Sequence, residues 1–279
     1  MVFPAPPATY STTTFPKELL WIPRPGGHGH VPCVLRRNEG GQRYMIHYHG
    51  NGCDIGMMYE ILGYYSRAFN VNVLGVEYPG YGTSVGSPSA ANINYDVRVV
   101  WDYLVKEMNV NPQNIALFGQ SIGTGVAIQL THNLQSEGVK PGALILQSPF
   151  LTIRHLAKDL MGKIGYFSPT IYNNEYNVRS ITVPVLFIHG LLDDLIPPFH
   201  SKVLLGLIQS EKKELKECRD ADHNGWDIAK DVGYPTQAFL RKHWEPTPNR
   251  GTKDFPPELF QVPDKFYPPP SNNGYSYFL

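Results

Sequence analysis

The chain has 279 residues, enough for one large domain, because α/β folds often run to about 250 residues as a single unit. Lys plus Arg and Asp plus Glu number 24 each, so the formal net charge is zero and no basic stripe offers a surface to nucleic acid phosphates. Three cysteines without a CxxC pair argue against a disulfide framework and a Cys-rich zinc site, and they fit a reducing compartment: Cys33, Cys53 and Cys218. The composition therefore predicts a cytoplasmic protein that does not bind nucleic acid.

Membrane insertion is not expected from the sequence. It contains no apolar run of about 18 residues, and its first residues lack the basic and apolar pattern of a signal peptide. Val2 does not fit a myristoylation signal, and the final SYFL has no prenylation cysteine. Any membrane contact is expected to be peripheral, and the sequence leaves the oligomeric state open.

Prolines concentrate at both ends and divide the sequence into three parts. Residues 1–32 are a Pro-rich segment that packs on the domain or leads into it, and residues 33–244 form the folded domain. Residues 245–279 form a Pro/Tyr-rich tail. Its composition fits a polyproline-type partner motif, a strap packed on the body or a disordered end.

Short apolar segments alternate with helical patterns throughout the middle of the chain. This alternation predicts an α/β fold with a mostly parallel central sheet and helices on both faces. The predicted strands are residues 44–48, 71–76, 115–118, 143–147, 183–188 and 214–218.

Two helices and one long connection complete the predicted body. Residues 94–108 form an amphipathic helix with Asp96 in its first turn, and a second helix begins at Ser121. Residues 148–182 form a connection longer than a simple loop needs. It is either a crossover helix with a long loop or a small lid at about 150–180.

A G-x-S-x-G motif at residues 119–123 is the sharpest local signal for chemistry. The strand pattern IALF precedes it and a helical pattern follows, so Ser121 would lie on a tight turn with its hydroxyl exposed. The alternative is a Gly-rich helix start that the serine caps.

A nucleophilic serine needs a base and an orienting acid at other strand ends. Asp193 follows the strand pattern VPVLFIHG, and His223 stands in a polar turn after KKELKEC, in the chain order Ser, Asp, His. Asp194 is the alternative acid. Ser121, Asp193 and His223 are therefore the candidate catalytic residues.

An oxyanion hole needs two backbone N–H groups. Ile122 follows the nucleophile and supplies one, and Asn51, in the loop after residues 44–48, supplies the other. His49 with His47 is also an H-x-H pair, but no further ligand completes a metal site. The same holds for His28 and His30 in a Gly/Pro-rich loop, so neither metal nor cofactor is expected, and Cys53 is interpreted as a packed free cysteine.

Four apolar residues flank the nucleophile in such a fold and are candidates for an acyl pocket. The alternative is that they only pack in the core. They are Phe150, Met161, Phe167 and Ile196.

The chain resembles the α/β-hydrolase superfamily, and within it the group of alpha/beta hydrolase domain-containing protein 17, intracellular serine hydrolases that include protein depalmitoylases. The segments that carry the resemblance are HGNGCDIG (49–56), EYPGYGTS (77–84), GQSIGTG (119–125), ILQSPF (145–150), IHGLLDDLIP (188–197) and DHN (222–224). The resemblance implies Ser121 as nucleophile, Asp193 as orienting acid and His223 as base. It further implies Asn51 and Ile122 as oxyanion donors, and an S-acylated protein as a candidate substrate.

The chain departs from that group in three respects. It has no cysteine cluster before Cys33, it has Gly225 where relatives usually have an acid, and its tail beyond Trp244 lies outside the resemblance. The sequence predicts a serine hydrolase that cleaves a carboxylic ester or thioester. An amidase or aminopeptidase with the same triad, and a hydrolase-like scaffold without catalysis, are the alternatives.

Overall fold

The computed structural model describes residues 2–161, 171–248 and 251–270, and within these the fold class predicted from the sequence is confirmed. Eight strands of the described residues form a mostly parallel sheet with helices. The chain divides into two compact units. The first unit comprises Met1–Ile115 with Thr247–Phe278, and the second unit comprises Ala116–Pro246.

Four strands belong to the first unit and follow the order β1-β2-β4-β3. The β1–β2 and β2–β4 pairs are antiparallel, whereas β3 and β4 are parallel. The elements are β1 (Leu19–Pro23), β2 (His30–Arg36), β3 (Tyr44–Tyr48), α1 (Ile55–Phe69), β4 (Asn72–Val76) and α2 (Ala90–Asp102), with a π-helical turn at Tyr103–Glu107 after α2.

The Pro-rich N-terminal segment contributes β1 and the start of β2, which the sequence did not predict. Pro23 is the last residue of β1, and Pro32 lies opposite Trp21 in the β1–β2 register. A proline in a sequence argues against a strand, because it has no backbone N–H to donate to the neighbouring strand. The expectation that His30 lies in a loop is wrong, since His30 is the first residue of β2.

The helix predicted at residues 94–108 begins earlier than expected. Ser89 caps α2 by accepting a hydrogen bond from the Asn92 backbone N–H at 3.1 Å. The sequence predicted Asp96 in the first turn of this helix. Because α2 begins at Ala90, Asp96 lies beyond the first turn. Both of its carboxylate oxygens accept hydrogen bonds from the buried Arg24 guanidinium at 2.7 Å. Burial raises the pKa of Asp96 to about 6, against the lowering effect of Arg24.

The described part of the C-terminal tail is a strap on the first unit. Its Phe255 ring lies 6.2 Å from the Tyr44 ring, and its Phe266 ring lies 5.2 Å from Trp21. Arg24 also donates to the Tyr267 backbone carbonyl at 2.9 Å. Residues 251–270 of the tail are therefore a strap packed on the folded body, which is one of the three alternatives that the sequence left open.

The second unit carries four parallel strands in the order β5-β6-β7-β8. All six predicted strands are confirmed, with ends that differ by two residues or fewer. The elements are β5 (Ile115–Gln120), α3 (Ile122–Ser136), β6 (Ala143–Gln147), α4 (Ile153–Met161), α5 (Asn174–Asn177), β7 (Val185–Gly190), α6 (Phe199–Leu207), β8 (Lys213–Cys218) and α7 (Tyr234–His243).

The long connection between β6 and β7 contains α4 and the short α5. Residues 162–170 lie outside the described residues, and Phe167 is among them. The side chain of Met161 also lies outside the described part of α4. The expectation of a small lid at about 150–180 stays a prediction.

Candidate active site

The tight turn between β5 and α3 places Ser121 in an uncommon backbone conformation. Its φ is 52° and its ψ is −118°, values that L-residues rarely adopt. A Cβ atom at Gly119 would collide with the Gly123 backbone, which explains why the turn needs glycine at 119. The Ser121 backbone N–H donates to the Gln147 carbonyl of β6 at 2.9 Å. The strand, turn and helix that the motif predicted are therefore confirmed.

Three side chains of the second unit form a hydrogen-bonded chain. The Ser121 Oγ lies 3.1 Å from His223 Nε2, and His223 Nδ1 lies 2.8 Å from Asp193 Oδ2. An ionised carboxylate only accepts hydrogen bonds, so Nδ1 carries a proton. In neutral His223, Nε2 is then free to accept the Ser121 hydroxyl proton. This tautomer is the one that removes a proton from serine.

Asp193 is buried, and its carboxylate accepts several hydrogen bonds. Oδ1 accepts from the Ile196 backbone N–H at 2.8 Å, and Oδ2 accepts from Ser148 Oγ at 3.0 Å as well as from His223. Burial raises the pKa of Asp193, but the bonds from His223, Ile196 and Ser148 outweigh burial, so the pKa lies below its ordinary value. The carboxylate therefore stays charged near neutrality. The neighbouring Asp194 has an exposed side chain instead.

The turn after β8 holds His223 through its backbone. Asp222 Oδ1 accepts hydrogen bonds from the Asn224 and Gly225 N–H groups at 2.8 and 2.6 Å. The Trp226 indole N–H donates to the His223 carbonyl at 2.9 Å. Asp and Gly three residues apart are a sequence signal for such a turn, but the contribution of Trp226 was missed.

The loop after β3 carries Asn51 in the first unit. Asn51 Nδ2 donates to the Val2 carbonyl at 2.8 Å, and Asn51 Oδ1 accepts from Tyr81 at 3.2 Å. His49 precedes this loop, with Nε2 3.0 Å from Glu77 Oε1 and Nδ1 2.9 Å from the Gly50 carbonyl. Both ends of the Asn51 amide and both nitrogens of His49 are thus engaged, which orders the loop.

The histidine pair considered as metal ligands has other partners. Buried His47 has its pKa lowered to about 3, first by burial and then by the charge of His49. His49 is paired with Glu77 within a hydrogen-bonded protein network. Across residues 2–161, 171–248 and 251–270, no three His, Cys, Asp or Glu side chains gather as a metal ion would require.

The remaining predicted residues occupy different environments. Ile122 is the first residue of α3 and is buried. Phe150 and Ile196 have 0% and 1% of their surface exposed, so in this structure they pack in the core. Half-buried Cys53 has its pKa raised to about 12, mainly by burial, so its thiol is not an activated nucleophile.

The helices among the described residues do not combine the length and hydropathy that crossing a membrane demands.

Comparison with known proteins finds relatives that are similar in sequence to this chain over part of their length. Bem46 of Schizosaccharomyces pombe is 32% identical over 185 residues, which cover 64% of this chain and 61% of Bem46. The uncharacterized protein YfhR of Escherichia coli is 32% identical over 64% of this chain and 62% of YfhR. Alpha/beta hydrolase domain-containing protein 17C of Xenopus tropicalis is 32% identical over 60% of this chain and 52% of the relative. The matches thus span about half to three fifths of these relatives, and no protein-family model matches the chain.

Solved structures define the fold class more completely. The Pyrococcus furiosus esterase Pf2001 matches with a TM-score of 0.67 and 16% identity, covering 88% of this chain and all of the esterase. An alpha-beta hydrolase from Vibrio vulnificus matches with a TM-score of 0.63 and 18% identity, covering 81% of this chain and 80% of that structure. The chain therefore has the α/β-hydrolase fold, and its resemblance to alpha/beta hydrolase domain-containing protein 17 is confirmed by the relatives in sequence.

Proposed function

We propose that the protein is a serine hydrolase that cleaves a carboxylic ester or thioester through an acyl-enzyme. The observation that carries the proposal is the Ser121–His223–Asp193 chain, with distances of 3.1 and 2.8 Å, at a serine whose φ is 52°. The esterase Pf2001 and relatives described as alpha/beta hydrolases support the hydrolase class.

The proposed reaction begins when Ser121 Oγ attacks the acyl carbonyl carbon and His223 Nε2 takes the hydroxyl proton. The tetrahedral intermediate collapses as the bond to the leaving oxygen or sulfur breaks and His223 protonates that atom. Water then attacks the acyl-enzyme as His223 takes its proton. The second tetrahedral intermediate collapses when His223 gives that proton to Ser121 Oγ, which releases the acid and regenerates the serine. Asp193 holds the imidazole in the required tautomer and stabilises its positive charge.

The backbone N–H groups of Asn51 and Ile122 are the proposed donors to the tetrahedral oxyanion. Ile122 is the first residue of α3, where backbone N–H groups have no partner within the helix. The hydrogen bonds of the Asn51 side chain to Val2 and Tyr81 support a fixed loop in the first unit. The reaction uses only these protein groups and water, so the mechanism needs no cofactor.

The proposed substrate is an acyl ester or thioester, with an S-acylated protein as the specific partner that the resemblance implies. A cytoplasmic location with peripheral membrane contact accords with such a substrate. Of the four residues considered for contact with the acyl group, Phe150 and Ile196 pack in the core, so Met161 and Phe167 remain the candidates.

Hydrolysis of p-nitrophenyl butyrate and of a matching thioester by the full chain tests the proposal. Ser121→Ala and His223→Ala are each expected to reduce turnover by at least about a thousandfold. The Thr131→Val variant is a control, because it removes a buried hydroxyl that bonds only within α3, to the Ala127 carbonyl at 2.8 Å. Turnover by a folded Ser121→Ala variant within tenfold of the wild type would exclude Ser121 as the nucleophile.

A further inference from the structure

Ser148 lies directly after β6 and contacts the candidate catalytic acid. Its side chain is buried, and its Oγ lies 3.0 Å from Asp193 Oδ2. Because an ionised carboxylate has no proton to give, the Ser148 hydroxyl is the donor. The same Oδ2 atom accepts the His223 Nδ1 proton at 2.8 Å. A fourth side chain therefore extends the hydrogen-bonded chain beyond Asp193.

The backbone at Ser148 has a conformation that costs free energy for a residue with a side chain. Its φ is 49°, close to the 52° of Ser121 at the end of the neighbouring strand β5. Positive φ at residues other than glycine is concentrated at functional sites, because the surrounding structure must hold it. Here the Ser148 backbone N–H donates to the Ile188 carbonyl of β7 at 2.9 Å. This bond holds the backbone in the position from which the hydroxyl contacts Asp193.

Ser148 Oγ and His223 Nδ1 donate to the same Asp193 oxygen and share its negative charge. Each hydrogen bond to an ionised carboxylate offsets part of its negative charge. The Ser148 hydroxyl therefore takes a share of the charge that would otherwise act on the His223 imidazolium. It also fixes the rotation of the carboxylate, together with the Ile196 N–H bond to Oδ1 at 2.8 Å.

We propose that Ser148 is a positioning residue that orients the Asp193 carboxylate toward His223 and limits the negative charge acting on the imidazole. This inference rests on the proposed serine hydrolase function. It assigns to the hydroxyl after β6 a role in catalysis rather than in folding alone.

Two other titratable groups lie near Asp193 and His223. Buried His189 of β7 has Nε2 3.6 Å from Asp193 Oδ2, but its bonds go to the Ile196 carbonyl at 2.7 Å and to Ser201 Oγ at 2.6 Å. Burial lowers the pKa of His189, so it stays neutral near pH 7. Asp222 is exposed and belongs to the turn that holds His223. Neither group is changed by a substitution at Ser148.

The test is the pH dependence of kcat/KM for p-nitrophenyl butyrate in Ser148→Ala and Ser148→Gly. Both variants lack the hydroxyl, but only glycine adopts a φ of 49° without strain. We expect both to lower kcat about tenfold with KM nearly unchanged, because the Asp193 carboxylate loses the donor that fixes its rotation toward His223. The acidic limb should move to higher pH, because the Asp193 carboxylate loses a hydrogen-bond donor and then favours the imidazolium more strongly.

The two variants and their controls distinguish the possible causes. A difference in kcat between the Ala and Gly variants that follows their difference in thermal stability would assign the effect to backbone strain and would overturn the proposal. Thr131→Val should lose stability but retain the wild-type pH profile, because its hydroxyl bonds to the Ala127 carbonyl. An unchanged acidic limb in both folded Ser148 variants, or failure of both to fold, would overturn the proposal. Ser121→Ala measured in parallel separates this outcome from failure of the proposed function, because it tests the nucleophile alone.

Discussion

Two adjacent aspartates follow β7, and their side chains have different surroundings. Asp193 is 3% exposed and accepts hydrogen bonds from His223, Ile196 and Ser148, whereas Asp194 is exposed. Asp193→Asn would place an amide against His223 Nδ1 and favour the wrong tautomer, so we expect ester turnover to fall by at least about a thousandfold. Asp194→Asn should leave turnover close to the wild type. The ranking is read from kcat/KM of the two purified variants, and the reverse order would identify Asp194 as the orienting acid.

The lowered pKa of Asp193 also makes a prediction about stability and pH. A carboxyl group whose pKa is lower in the folded state stabilises that state above its unfolded pKa, about 3.9. This contribution is lost as the pH falls through the lower, folded pKa. The difference in the free energy of unfolding between the wild type and Asp193→Asn should therefore shrink from pH 6 to pH 3. Urea titrations at both pH values measure this difference, and a difference that grows toward pH 3 would contradict the assigned direction.

Residue identities at the site were predictable, but their supporting contacts were not. The motif around Ser121 and the positions of Asp193 and His223 after predicted strands are local patterns in the sequence. Ser148 donates to the Asp193 carboxylate, and Trp226 donates to the His223 carbonyl. Folding brings each pair together. No local spacing distinguishes these two residues from an ordinary loop serine and a loop tryptophan.

At the scale of elements, the ion pair between Arg24 and Asp96 links the segment after β1 to α2. The two bonds are 2.7 Å long, and Arg24 and Asp96 have 0% and 1% of their side-chain surface exposed. Asp96→Asn would leave a buried guanidinium without its counter-charge, so the free energy of unfolding should fall by about 3 kcal/mol. Arg98→Met removes the partly exposed pair with Asp102 on the same helix and is the control, with a much smaller expected loss. Equal losses in chemical denaturation would show that burial of the Arg24–Asp96 pair has no special effect.

The elements that the sequence predicted well are those with an uninterrupted local pattern. Strands β3 and β6 match residues 44–48 and 143–147 because both are short, largely apolar segments between clear breaks. Strands β1 and β2 were missed because Pro23 and Pro32 lie within them and a Gly/Pro-rich loop joins them, so their sequences do not read as strands. The start of α2 was placed too late because Ser89, its cap, lies before the apolar periodicity begins.

At the scale of the whole molecule, the described tail is part of the folded body. Phe255 and Leu259 are buried, and the Lys253 backbone N–H donates to the Met108 carbonyl at 3.0 Å. Composition alone could not distinguish this strap from a partner motif, because both are rich in proline and aromatic residues. The fold class needed only the alternation of strands and helices, whereas the place of the tail depended on contacts far apart in the sequence.

The central claim is that Ser121 is a nucleophile activated by His223. The most direct measurement is the intact mass of the protein after treatment with a fluorophosphonate, beside Ser121→Ala and His223→Ala. We predict a single adduct on the wild type that maps to Ser121, none on Ser121→Ala, and much slower labelling of His223→Ala. Folded wild-type protein without an adduct, or an adduct that persists in Ser121→Ala, would contradict the proposed function.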